Sequence, residues 1–268
     1  MLTQEQFRIM KFNHKNISID SSAILGKNVQ IGDNTTIYGN VIVGDNTIIA
    51  DNCVIGEPLN IFYADQDNYI NPKTEIGANS LIRSFTILYA GSRFGQYLNT
   101  GHHVTIREKT KIGSNCSIGS YNDIQGDCKI GNYCRFQSNV TVGQKSKIGS
   151  FVFIYPYVVL TNDATPPSNT LKGALIGDYS QITTGCILMP GAKIGKNCLT
   201  AAHSTIGGNF EDDSFISGSP AKRVGTLSKM PFFNEKGKRH YPWQRFFERG
   251  MPWFGIGFNE WLKTVDDD

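Results

Sequence analysis

Residues 83–108, RSFTILYAGSRFGQYLNTGHHVTIRE, gather the side chains best suited to chemistry. Two adjacent imidazoles, His102 and His103, can take up or deliver a proton near neutral pH. Glu108 follows, a carboxylate that burial would raise toward the same range. Arg83 and Arg107 bring forked donors suited to anions. Tyr89 and Asn99 add hydrogen-bonding groups, and these four residues are candidate substrate contacts. Two further strings stand out. VVLTNDATPPSN holds Asn162 and Asp163, which could hydrogen-bond sugar hydroxyls or an amine; Asx residues also start turns for purely local reasons. GSPAKRVG holds Lys222 and Arg223, which can meet phosphates or simply be solvated.

A repeat must position these groups. An aliphatic recurs every six positions at Leu25, Ile31, Ile37, Val43, Ile49 and Ile55, usually followed by a small residue such as Gly26, Gly32 or Ala50. A small or β-branched residue stands two positions before each, as at Val29, Thr35, Val41, Thr47 and Cys53. The register resumes at Ile76, runs to Leu160 and returns from Ile176 to Ile194. Within 76–160 Thr100 alone puts a hydroxyl where an aliphatic belongs. This period belongs to a short strand followed by a turn, not to a helix, with glycine expected to ease the turn. Three such units make a triangular coil of 18 residues, and stacked coils bury a column of aliphatics.

The coil fixes neighbours. His102 falls in line with Ser84, Ser120 and Ser138, and Glu108 with Ala90, Gly126, Gln144 and Asn162. The two therefore occupy different corners and cannot meet within one chain. They could share a cleft only across subunits, as in a cyclic trimer. The non-functional alternatives are a hydrogen-bonded turn for the histidines and a pairing of Glu108 with Arg107 or Lys109.

Two polar inserts, 57–75 and 161–175, interrupt the repeat. Such loops on a rigid scaffold often carry function. Beyond about Leu227 the period vanishes and aromatics crowd in. The expected organisation is a β-helix over 1–226 and a tail of one to three short helices over 227–268. Net charge is +3 and no apolar run reaches a membrane span, so neither nucleic acid nor membrane is an expected partner. Six scattered cysteines without a CxxC pair read as small buried side chains in a reducing cytoplasm. A γ-carbonic-anhydrase reading needs three metal-binding histidines. The five present, His14, His102, His103, His203 and His240, offer no third beside the adjacent pair, so no metal is expected.

Together the repeats, TGHHVTIRE, the TND-containing insert and GSPAKRV resemble the hexapeptide-repeat nucleotide-sugar N-acyltransferases over about residues 20–225. The resemblance implies an all-β fold, a left-handed parallel β-helix with two inserted loops and a short C-terminal α-helical tail. It implies a cytoplasmic homotrimer transferring an acyl group from acyl-CoA to the amine of a dTDP- or UDP-linked amino sugar. His102, His103 or Glu108 would then be catalytic, and Ala201, Lys222 and Arg223 would lie beside coenzyme A. An amine is nucleophilic enough that direct attack without a dedicated base also fits. O-acylation of a sugar or small alcohol, or a non-catalytic scaffold, are the other readings of the same coil.

Overall fold

The computed structural model describes residues 13–265. They divide into two compact units, one ending at Asn122 and the other beginning at Asp123. Each is a three-sided parallel β-solenoid of very short strands. In the first unit, Ser18 pairs with Thr36, Ile24 with Ile42 and Gln30 with Ile48, one full coil apart on three successive sides. The second unit repeats this with Asp123 and Thr141, Lys129 and Lys147, and Arg135 and Phe153.

The expected inward columns are the core. Ile37, Ile49, Ile55, Ile82, Leu88 and Ile106 are buried in the first unit, and Ile124, Val142, Ile154, Leu160, Ile182 and Leu188 in the second. All six cysteines are free and buried. They sit two positions before an inward residue, and five of their sulfurs approach the carbonyls of Arg83, Gly126, Gly149, Ala201 and Glu211. Burial pushes the Cys53 and Cys128 thiols up to about 11, which leaves them unreactive near neutrality.

The glycines after the aliphatics serve close approach. A Cβ on Gly101 would run into the backbone of Ser120, and one on Gly44 into that of Ala78. The left-handed backbone falls instead two residues later, on Asn28, Asn34, Asn46 and Asn52 and also on Phe85, His103, Tyr121 and Tyr179. The Asn residues tolerate it and ladder their amides from coil to coil. The aromatic ones, for which this conformation is costly, stack.

The first insert carries a short helix, Asn60–Ala64. The second is closed by a bridge between Asp163 and Leu171. The last coil ends in an antiparallel hairpin of Ser214–Gly218 and Ala221–Thr226. The tail then begins with the 3-10 turn Leu227–Lys229 and runs through a second at Trp243–Arg245 to the helix Phe258–Val265. It docks on its own unit's coil. Trp243, Met251 and Trp253 pack with Phe151, and the Trp243 indole N–H donates to the Tyr179 carbonyl at 2.7 Å. Among the described residues no helix is long and apolar enough to cross a membrane.

Candidate functional site

His102 and His103 form the corner between the strands Asn99–Thr100 and Thr105–Ile106, and both are exposed. The His102 amide donates to Ser120 Oγ at 3.0 Å, which places it in line with Ser120 as the coil requires. The His103 ring lies flat between Phe85 and Tyr121, with centroids 4.6 and 5.0 Å away and planes within 1° and 3°. Its faces are fixed while its nitrogens, like those of His102, have no hydrogen-bond partner among the described residues.

Thr100 is fully buried, and its Oγ1 accepts the Arg83 amide N–H at 2.9 Å. The Thr100 carbonyl takes Arg83 Nη1 at 2.7 Å, and the same nitrogen reaches Asn99 Oδ1. The inward hydroxyl thus has a backbone role that the sequence pattern does not reveal. Thr200 has the same role in the other unit, accepting the Thr183 amide at 2.8 Å, and it too is followed three residues on by a histidine, His203.

A second group gathers elsewhere in the first unit. Arg107 grips Glu108 with both Nε and Nη2, at 3.1 and 3.0 Å, and its guanidinium lies 5.8 Å from the Tyr89 ring centre. Tyr89 is the register partner of Glu57, whose Oε1 accepts the Tyr63 hydroxyl at 2.6 Å. Glu57 and Tyr63 escaped sequence reasoning; their position at the start of the first insert was the available signal. His102 and Glu108 stand at different corners of the coil, as expected, and no contact joins them among the described residues.

Asp163 is occupied locally. It accepts from the amides of Thr165 and Ser168 and from the Ser168 hydroxyl, at 3.1, 2.8 and 2.7 Å. The Ser168 hydroxyl holds its carboxyl below the usual carboxylate range. The Asn162 carbonyl accepts the Lys172 amide at 2.7 Å, which leaves its side chain for other partners. Arg223 folds back on Ser214 Oγ and Thr226 Oγ1, both at 3.0 Å, while Lys222 is exposed. Ala201 sits in the coil beneath this hairpin, its amide on the Ile216 carbonyl at 2.7 Å.

The second unit also bears a groove of about 680 Å³ lined by Lys129, Lys147, Lys193, Lys196, Asp178 and Phe210, among others. Lys196 pairs with Asp178 at 3.1 Å. Lys129 and Lys147 are direct register partners, a like-charge neighbour pair that an anion would relieve. The recurrent Lys-Ile-Gly triplet was its sequence signal.

Fold and repeats define a hexapeptide-repeat β-solenoid, with the left-handed parallel β-helix that the resemblance implied. The profile of the family described as bacterial transferase hexapeptide (six repeats) matches residues 22–57, 109–144 and 173–208. Among solved structures, the chain is similar to the Arabidopsis UDP-N-acetylglucosamine acyltransferase, at 15% identity over 94% of this chain and 88% of that one, TM-score 0.46. It is also similar to the UDP-N-acetylglucosamine acyltransferase from Campylobacter jejuni, at 18% identity, 82% and 78% coverage and TM-score 0.40. PerB from Caulobacter crescentus, solved with CoA and GDP-perosamine, matches at 17% identity, 68% and 71% coverage and TM-score 0.36.

Proposed function

We propose that this protein is an acyl-CoA-dependent N-acyltransferase acting on the amino group of a dTDP- or UDP-linked amino-deoxy sugar for surface polysaccharides. Acetyl is the first acyl group to try. The observation that carries the reading is the corner of His102 and His103: two exposed imidazoles, one held flat between rings, on repeats of the bacterial transferase type.

The unprotonated amine attacks the thioester carbonyl, the tetrahedral oxyanion collapses, and coenzyme A leaves as thiolate. His103, fixed by its stack, is the better placed of the two to accept the ammonium proton, worth roughly 10²–10⁴-fold. Backbone N–H groups on a corner would meet the oxyanion. If the amine attacks unaided, the thiolate takes the proton and positioning supplies most of the acceleration. Arg83, Tyr89, Asn99, Arg107 and Asn162 are assigned to the nucleotide sugar, with Asp163 shaping the loop around Asn162. Lys222, Ala201 and Arg223 are assigned to coenzyme A, and the lysine groove suits an anionic cosubstrate of the same kind.

Glu108 reaches the histidine corner only from a neighbouring subunit, so the working form is a homotrimer. It would act in the cytoplasm, where acyl-CoA is available. The test is incubation with acetyl-CoA and a panel of nucleotide amino sugars, following thiol release and product mass. A product heavier by one acyl group, formed only from amino sugars, supports the reading. Acylation of hydroxyl analogues instead, or none with any acceptor, removes it.

A further inference from the structure

On the side of the coil that carries Thr100, most amides following an inward residue donate to the carbonyl of the inward residue one coil on. Ala50 does so to Ile82 at 2.8 Å and Gly101 to Ile118 at 2.6 Å. Arg83 does not: its amide goes to the Thr100 hydroxyl, and the register pairing there shrinks to Asn99 with Leu81. The Thr100 carbonyl is thereby released, and a buried carbonyl needs a donor. Arg83 Nη1 supplies it at 2.7 Å and spends its second hydrogen on Asn99 Oδ1. One residue therefore receives both the amide and the guanidinium of Arg83.

This leaves Nε and Nη2 of Arg83 without a partner among the described residues. Their N–H groups form the parallel edge that matches two oxygens of a phosphate. The twin at Thr200 marks the difference. There the released carbonyl takes only the Thr183 hydroxyl, at 2.8 Å, and no cation is positioned.

We propose that Thr100 is a positioning residue that fixes the Arg83 guanidinium, and that the free Nε–Nη2 edge receives a phosphoryl group of a substrate. The source of that phosphate rests on the acyltransferase reading, in which both the nucleotide sugar and acyl-CoA carry one.

Calorimetry with three probes tests this: UDP for the nucleotide-sugar acceptor, adenosine 3′,5′-bisphosphate for coenzyme A, and inorganic pyrophosphate for neither. Thr100→Val should weaken the responsive probe about tenfold, the worth of one charge-assisted contact. Arg83→Gln should match it, and the double variant should lose no more than either single one. Thr100→Ser keeps the hydroxyl and should restore binding, and Thr200→Val should leave it at the wild-type level. Valine suits the apolar column, so Thr100→Val should melt no lower than wild type; should it fail to fold, Thr100→Ala takes its place.

Wild-type affinity in Arg83→Gln for all three probes, or no probe binding to the wild type at millimolar concentration, overturns the anion site. Loss in Arg83→Gln with none in Thr100→Val overturns the positioning role. Probe binding needs no turnover. A protein that follows Thr100 in binding yet transfers no acyl group would sink the acyltransferase reading and leave this inference standing.

Discussion

The imidazole of His103 lies on the ring of Phe85, centroids 4.6 Å apart and planes within 1° of parallel. His103 holds a left-handed backbone, φ 54°, that aromatic side chains resist. The stack offsets that cost and fixes the ring faces.

Phe85→Ala should therefore remove about 1 kcal/mol of stability. It should also lower turnover more than it raises the KM of either substrate, because the base would no longer be held. The check is denaturant unfolding beside steady-state kinetics. A loss of stability with unchanged kcat would confine the stack to a structural role.

The tail should behave as a docked element. Trp253 is completely buried against Phe151, Phe258 and Trp261. Trp253→Ala should destabilise the docked tail by about 3–5 kcal/mol. Limited proteolysis should then cut beyond Thr226 while the coils resist. Uniform cleavage throughout the second unit would contradict separate docking.

Alkaline pH should release the same tail. Burial raises the Tyr179 and Tyr241 phenols to about 12 from an ordinary 10.0. Raised folded values mean that their contribution is fully present below pH 10.0 and lost as pH climbs toward 12. Tryptophan fluorescence should report undocking in that window. Tyr241→Phe should move the midpoint upward, and an unmoved midpoint would remove Tyr241 from the transition.

The period of six made the coil, its inward columns and its corner neighbours legible, down to the alignment of His102 with Ser120. Three features were not. Thr200 lies just beyond the last regular aliphatic, Ile194, so Thr100 looked solitary, and nothing in the period showed that its hydroxyl is a ladder acceptor. The small residues after each aliphatic were expected to ease a turn, but they permit coil-to-coil contact. Side-chain partners such as Ser168 on Asp163 depend on how the insert folds, which no period encodes. The crowded aromatics of the tail suggested packing on the coil or on a neighbouring subunit, and Tyr133, Phe151 and Tyr179, in line on one corner, are the platform it uses.

Lys222 and Arg223 should serve acyl-CoA. Changing both to Ala should raise the KM for acyl-CoA and spare that for the sugar. Because Arg223 is already engaged by Ser214 and Thr226, Lys222→Ala alone should account for most of the effect. An unchanged acyl-CoA KM in the double variant would shift the cosubstrate to the groove of Lys129 and Lys147.

The most direct measurement is steady-state acyl transfer, with acetyl-CoA and the best nucleotide amino sugar, by His102→Asn, His103→Asn and the double variant. His103→Asn should lower kcat by roughly 10²-fold or more with little change in acyl-CoA affinity, and His102→Asn by less. If the amine attacks unaided, the variants should keep residual turnover with an acid limb set by the substrate amine, and weaker sugar binding should carry the loss. Wild-type turnover and sugar affinity in all three variants would contradict the assignment of this corner as the active site.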